Sequence, residues 1–192
     1  SEPHVRAILA ALERNQSTTQ LWVMLSETVL RDVPPPQRVA QSANILKPLA
    51  ERAREIGCHV ALYNHGGWFG DVENQVQIIQ CLERDQVYNV GIVYNMHHGH
   101  GDLEQFDEVL TKIKPYLYAL NLNGMRADGP KILPLGQGDE DLRLMKSIRQ
   151  SGYAGPIGIL DHRPEVDAAA ALQENLAGLE ELNARLRQEV TE

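Results

Sequence analysis

A cluster of imidazole and amide side chains follows one short apolar run and could carry out proton transfer. Residues 90–94 read as a buried strand that ends at Asn95, and His97, His98 and His100 follow within five positions. Imidazole changes its charge near neutral pH, so it can both accept and donate a proton. Polar side chains just past a strand's carboxyl end are typical of α/β active sites. The alternative is a solvated histidine-rich turn.

The same pattern recurs after the other predicted strands. His65 and His162 each follow a strand, and other polar residues join them there: Glu27, Tyr63, Asn64, Asn121, Asn123 and Asp161. Because parallel strands place their carboxyl ends on one face, we expect these side chains to share a pocket. The alternative is that they only cap strands and form turns. His59 begins a strand, and we expect it to be a buried core histidine.

Strands and amphipathic helices alternate along the chain. Strands are predicted near residues 21–25, 59–63, 90–94, 116–122 and 156–160, with helices between them. Asp71, Asp102 and Asp139 each precede a helical pattern and are expected to cap it. This five-fold repeat predicts an α/β fold, a parallel sheet with helices outside.

Composition limits the classes of protein and partner. The 192 residues are 43% hydrophobic and 23% charged, which fits a single soluble domain over residues 1–192. A formal charge of -8 argues against a nucleic-acid partner. No apolar run approaches a membrane span and no targeting segment is recognised, so we expect no membrane partner, and the compartment stays open between cytoplasm and periplasm. Two cysteines provide no disulfide framework.

Five blocks of sequence resemble a known family. They are Tyr-Asn-His-Gly-Gly-Trp at 63–68, Val-Gly-Ile-Val-Tyr-Asn-Met-His-His at 90–98, Asn-Leu-Asn-Gly-Met at 121–125, Leu-Pro-Leu-Gly-Gln-Gly at 133–138 and Gly-Tyr-Ala-Gly-Pro-Ile-Gly-Ile at 152–159. Their order and spacing resemble the sugar phosphate isomerase/epimerase proteins, which are xylose isomerase-like TIM barrels, over roughly residues 20–182. The resemblance is to a branch with eroded metal ligands.

The resemblance implies a (β/α) TIM-type barrel. Such a barrel has eight βα units, and this chain supplies about five, matching the C-terminal portion and lacking the first three. An open sheet of five strands would expose an edge. We therefore expect a missing N-terminal part, a partner chain or a homo-oligomer.

The resemblance also implies a divalent metal that this chain holds poorly. The family's Glu, Asp, His and Glu ligands correspond here to Tyr63, Asn95, Asn121 and Asp161. A hard ion prefers anionic oxygen, and only Asp161 retains a carboxylate. His65 and His98 match histidines of the family motifs. A rebuilt site of His65, His98 and Asp161 could hold zinc or manganese.

Three readings of the function remain open. The first is an isomerase, epimerase or lyase that moves a proton beside the carbonyl of a sugar or keto-sugar. It uses His65, His98 and Asp161 as catalytic residues, and the substrate contacts are Tyr63, Asn64, Trp68, Asn95, His97, Asn121, Asn123 and His162. The second is a non-catalytic carbohydrate-binding protein, and the third, a nucleic-acid repair enzyme, is disfavoured by the acidic charge. No Arg/Lys cluster follows the strands, so an unphosphorylated small-molecule carbohydrate is expected.

Overall fold

The strands form one sheet in the order of the sequence. The computed structural model describes residues 2–189, and its strands are β1 (Gln20–Val23), β2 (His59–Tyr63), β3 (Val90–Asn95), β4 (Leu117–Leu122) and β5 (Ile157–Ile159). The sheet order is β1-β2-β3-β4-β5. The β1–β2, β2–β3 and β4–β5 pairs are parallel. The predicted α/β class and strand order are confirmed, with strand ends shifted by one or two residues.

Helices connect the strands, and one further helix lies before the first strand and one after the last. They are α1 (Glu2–Arg14), α2 (Arg38–Glu55), α3 (Gly67–Gly70), α4 (Val72–Arg84), α5 (Phe106–Ile113), α6 (Asp141–Gln150) and α7 (Ala168–Gln188). Short 3₁₀ turns cover Glu27–Val29, Pro35–Gln37, His100–Gln105 and Lys114–Tyr116. No helix within residues 2–189 combines the length and apolarity needed to cross a bilayer.

The chain divides into two compact units between Val93 and Tyr94, inside β3. In the first unit, Ala50 and Ala53 of α2 and Ile78 of α4 have no exposed surface. Asn89 precedes β3, and its side-chain amide donates to the carbonyl oxygens of Ala50, at 2.9 Å, and Cys58, at 3.3 Å. This buried amide therefore joins α2 to the residue that directly precedes β2. The single domain expected from the sequence stays a prediction.

In the second unit, a buried carboxylate organises the long loop between β4 and α6. Asp141 accepts backbone N–H groups from Met125 (2.9 Å), Gly136 (2.8 Å) and Gly138 (3.0 Å). Asp141 is only 3% exposed, and this burial raises the pKa of its carboxyl group. The loop is thus fixed by one acceptor that serves three separated donors.

One of the three expected helix caps is confirmed and two are wrong. The Asp71 carboxylate accepts the N–H groups of Glu73 and Asn74 at the start of α4. Asp102 lies inside a 3₁₀ turn that begins at His100, so it does not cap a helix. Asp139 accepts the Ala127 N–H instead, because α6 begins only at Asp141. The Asp139 failure occurs where a donor from a distant part of the loop competes with local capping.

The expectation for His59 is also wrong. This residue begins β2 and is exposed, whereas the following Val60, Ala61 and Leu62 are completely buried. Its backbone N–H donates to Thr19 at 3.0 Å. The buried stretch of the strand therefore begins one residue later than expected.

We predict that Gly178→Ala destabilises the protein, although alanine is the better helix former by about 1 kcal/mol. A Cβ at Gly178 of α7 would overlap the carbonyl oxygen of Leu135, which is backbone and cannot rotate away. Urea denaturation should show a loss of about 1–3 kcal/mol in the free energy of unfolding. Gly101→Ala is the matched control, because nothing lies within 4 Å of its added Cβ. A Gly178→Ala variant as stable as this control would contradict the prediction.

Candidate functional site

The turn after β3 is built on the backbone of Asn95. Its carbonyl oxygen accepts the N–H groups of His98 at 3.2 Å and Gly99 at 3.3 Å, which reverses the chain within four residues. A Cβ at Gly99 would overlap the hydroxyl of the buried Tyr94, so only glycine fits there. The turn leaves His97 buried and His98 half-buried.

Three of the predicted site histidines meet in the second unit. The ring centroids of His97 and His98 are 3.7 Å apart with an interplanar angle of 41°. The His162 ring, from the end of β5, meets the His97 ring edge-on at 5.2 Å. His100 does not join this group, since its Nε2 hydrogen-bonds the Arg126 carbonyl oxygen at 2.8 Å. His100 therefore anchors the neighbouring loop.

Two buried amides lie together at the ends of β3 and β4. The Asn121 side-chain N–H donates to the Asn95 Oδ1, and the Met96 N–H donates to the Asn121 backbone oxygen at 3.0 Å. Gly158 of β5 stands opposite Asn121, where a Cβ would overlap the Asn121 Oδ1. The Asn95–Asn121 pair is neutral and each amide satisfies part of the other's hydrogen bonding.

Asn123, a predicted substrate contact, uses both amide hydrogens in its own loop. Its Nδ2 donates to the carbonyl oxygens of Gly124, at 2.9 Å, and Lys131, at 2.5 Å. Its Oδ1 is buried and, among the residues described, has no hydrogen-bond partner. Any contribution of this side chain to a ligand would therefore come from the oxygen.

Asp161 is held by a guanidinium group that sequence reasoning missed. Arg163 contacts both carboxylate oxygens, with Nε to Oδ1 at 3.0 Å and Nη2 to Oδ2 at 2.6 Å, and the Asn175 side chain donates to Oδ2 at 2.8 Å. Arg163 also pairs with Glu174 at 2.9 Å. The Arg163 hydrogen bonds lower the pKa of Asp161 to about 2. A cavity of about 250 Å³ lies beside this network.

The sequence contains only a weak indication of the contacts among Asp161, Arg163 and Asn175. An arginine two residues after a strand-end carboxylate is compatible with such a pair. The register of Asn175 against Asp161, however, depends on how α7 packs. Bidentate pairing of this kind needs a planar guanidinium in one orientation, which only the folded loop provides.

In the first unit, the residues after β2 form a separate group. The rings of Tyr63 and His65 lie 5.5 Å apart, and Trp22 of β1 lies 6.3 Å from Tyr63. Asn64 is buried, whereas His65 is exposed. His65 thus lies where a dissolved ligand can reach it, next to an aromatic ring.

Glu27 and Trp68 connect the loops that follow β1 and β2. The backbone N–H of Trp68 donates to Glu27 Oε1 at 3.1 Å. Gly67 has φ +62°, and a Cβ there would overlap the same carboxylate oxygen. The Asn74 side chain holds the Trp68 carbonyl oxygen at 2.8 Å. The cavity beside this contact, which we call the Trp68 cavity, measures about 220 Å³ and is lined by Leu25, Glu27, Leu30, Arg31, Arg38, Trp68 and Phe69.

The predicted site residues therefore form groups within each unit. The second unit brings together Asn95 with Asn121, and His97 with His98 and His162; the first brings together Tyr63 and His65. That all of them share one pocket stays a prediction. Arg31, Arg38, Arg163 and Asn175 are additional polar residues that the sequence did not single out.

The family's divalent ion does not fit the residues present. Asn95 already accepts from Asn121, and the Asp161 carboxylate is occupied by Arg163 and Asn175. Within residues 2–189 no three His, Cys, Asp or Glu side chains are grouped so that they could hold a metal ion. The set of His65, His98 and Asp161 draws on both units and stays a prediction.

A parallel sheet with helices between its strands defines the class of protein as α/β. The profile of one family, described as xylose isomerase-like TIM barrel, matches residues 4–182. The chain belongs to this family, as its sequence blocks suggested. No curated protein sequence matches the chain.

Solved structures of the same fold include sugar epimerases. A zinc-bound IolI protein is 16% identical, has a TM-score of 0.70, and the match covers 95% of this chain and 69% of that one. The Escherichia coli 3-keto-D-glucoside 4-epimerase YcjR is 16% identical with a TM-score of 0.64, covering 92% and 68%. An L-ribulose 3-epimerase is 12% identical with a TM-score of 0.71, covering 98% and 69%. At these identities the likeness shows the fold.

We predict that Asp161→Asn removes a pH-dependent part of the stability. The folded-state pKa of Asp161, about 2, lies below the ordinary value of 3.8, so the ionised carboxylate stabilises the fold fully at pH values above 3.8. This stabilisation is lost as the pH falls through the folded-state pKa. In thermal unfolding, the variant should melt a few degrees below the wild type at pH 6, with the gap closing towards about pH 2.

Asp128→Asn is the matched control, because this exposed carboxylate lies in the same unit and makes no side-chain contact among the described residues. Its melting curve should follow the wild type at every pH. A gap for Asp161→Asn that stays constant from pH 6 to pH 2 would show that the ion pair does not stabilise the fold.

Proposed function

We propose that the protein is a sugar isomerase or epimerase that moves a proton on the carbon beside a carbonyl group of a sugar or keto-sugar. The observation that carries the proposal is the meeting of His97, His98 and His162 beside the amide pair at the strand ends of the second unit. Its support from the comparisons is that proteins of the same fold include sugar epimerases.

His98 is the proposed acid–base residue. It is half-buried, and its ring packs on the buried His97. A neutral imidazole accepts the proton from the carbon, leaving an enediolate, and the imidazolium returns that proton to the adjacent carbon, which isomerises the sugar. Inversion at the same carbon, as in an epimerase, requires in addition a second proton donor on the opposite face. Imidazole suits this step because its ordinary pKa lies near neutral pH.

The amide pair is proposed to bind the substrate's hydroxyl or carbonyl oxygens. Neutral amides hydrogen-bond such groups without carrying charge of their own. Asp161 is a poor proton acceptor at neutral pH, because the arginine contact lowers its pKa to about 2. We therefore assign Asp161 the task of orienting Arg163, whose remaining N–H groups can donate hydrogen bonds to a substrate oxygen.

The second candidate is a carbohydrate-binding protein without catalysis. The observation that favours it is the engagement of the strand-end carboxylate and amides with protein partners, Asp161 with Arg163 and Asn95 with Asn121. Groups held in this way can still bind a sugar, but they do not accept a proton from it, so imidazole is the remaining candidate base. His65, in the first unit, stays a predicted catalytic residue under the first candidate only.

We predict that His98→Ala abolishes proton exchange. The purified protein is incubated in D₂O with a panel of aldoses, ketoses and keto-sugars, and proton NMR follows deuterium entry beside the carbonyl. Removing the acid–base group should slow exchange by about 10²-fold or more. His4→Ala is the control, since His4 is exposed on α1 and far along the chain from the strand ends.

Each result decides between the candidates. Exchange that depends on His98, with a circular dichroism spectrum like the wild type, supports the enzyme. Sugar binding without exchange supports the carbohydrate-binding protein. Exchange at the wild-type rate in the His98→Ala variant would refute the role of His98.

We also predict that removal of divalent ions leaves the function intact. The amide pair carries no anionic oxygen, and the Asp161 carboxylate is already bonded to Arg163 and Asn175, so little charge is left to repay dehydration of a hard ion. Dialysis against EDTA, followed by metal analysis, should leave exchange or sugar affinity within about twofold of the untreated protein. Loss of either property on chelation, with recovery on adding zinc or manganese, would show that a metal is required.

A further inference from the structure

We propose that the Trp68 cavity binds the negatively charged group of an anionic sugar, a sugar acid or a sugar phosphate. The inference rests on the proposed function, because it names the substrate class of that carbohydrate protein. The expectation of an unphosphorylated substrate assumed that no basic residues gather after the strands, and two arginines line this cavity.

Two arginines line this cavity and neither has an acidic partner among residues 2–189. The Arg31 side chain is exposed and makes no hydrogen bond or ion pair there. Arg38 Nε donates to the Val33 carbonyl oxygen at 3.1 Å, which uses one of its five N–H groups. A guanidinium group matches the geometry of carboxylate and phosphate oxygens, and this cavity is lined by two of them.

The remaining charged group of the cavity is already engaged. Glu27 accepts the Trp68 N–H at 3.1 Å, and no ion pair joins it to Arg31 or Arg38 within the part of the chain described. The two arginines therefore leave the cavity with a net positive charge, although the whole chain carries -8. An uncompensated positive site in an acidic protein favours an anionic ligand.

Trp68 supplies the second part of the recognition. The Arg38 guanidinium lies 5.9 Å from the centre of the Trp68 ring, within cation–π range, so the two side chains form one wall. Glu27 and Asn74 fix the Trp68 backbone from two sides. An aromatic face beside two guanidinium groups can contact a sugar ring while the arginines bind its charged substituent.

The test measures binding by calorimetry with four probes: D-glucuronate, D-glucose 6-phosphate, D-glucose and inorganic phosphate. The variants are Arg31→Gln and Arg38→Gln, with Arg14→Gln as the control for loss of one positive charge at an exposed site without side-chain partners in the described chain. At least one anionic sugar should bind about tenfold more tightly than D-glucose, and Arg31→Gln should remove that advantage. Added salt should weaken the anionic ligand selectively.

The four probes distinguish a carboxylate from a phosphate as the bound group, and they separate failure of this inference from failure of the proposed function. Arginine-dependent binding of glucuronate identifies the ligand class as sugar acids. Arginine-dependent binding of glucose 6-phosphate identifies it as sugar phosphates. Either result supports the inference. Equal binding of D-glucose and the anionic sugars overturns the inference and leaves the proposed function standing. Arginine-dependent binding of inorganic phosphate as tight as that of either anionic sugar overturns the inference, because the cavity would then recognise an anion without its sugar, and leaves the proposed function to the exchange experiment. An Arg31→Gln variant that binds like Arg14→Gln overturns the inference.

Discussion

Parallel pairing of neighbouring strands is the constraint on which the site depends. In the first unit, β1 and β2 pair in parallel register, so the loops that follow them emerge at the same edge and Glu27 meets Trp68. In the second unit, β4 pairs with β5, which sets Gly158 opposite Asn121 and leaves space for its amide. A shift of one residue between β4 and β5 would replace Gly158 opposite Asn121 by a residue with a side chain and remove the space for the amide.

Charge compensation by arginine explains much of the site chemistry. The strand-end positions that resemble family metal ligands carry a phenol, two amides and one carboxylate. Their hydrogen bonding is met by protein groups, since Asn121 donates to Asn95 and Arg163 clamps Asp161. The neutral amide pair needs no cation, and the carboxylate has one supplied by the chain itself. This arrangement is consistent with histidine-based proton transfer and with simple sugar binding.

The loops illustrate how distant residues set local geometry. Asp141 binds N–H groups from three loop positions, and Gly178 of α7 lets the Leu135 carbonyl oxygen approach the helix closely. Asp139 looks like a helix cap in sequence, but it is used by Ala127 in the same loop. The competition between local capping and longer-range donors is resolved only when the loop is closed by its packing.

The sequence by itself determined the strands and the strand-end position of the histidines and asparagines, because apolar periodicity and turn residues are local properties. The family, and with it the strand order, followed from the resemblance of the five sequence blocks. The sequence also located Asp71 as a cap and left Asp102, Asp139 and His59 misassigned.

Tertiary structure alone decided which side chains pair. The Arg163–Asp161 clamp, the Asn95–Asn121 contact and the two arginines beside Trp68 join groups whose distance depends on register and loop closure. Hydrogen bonds and ion pairs are effective over only a few ångströms, so no pattern of residue types along the chain specifies them before the chain has folded.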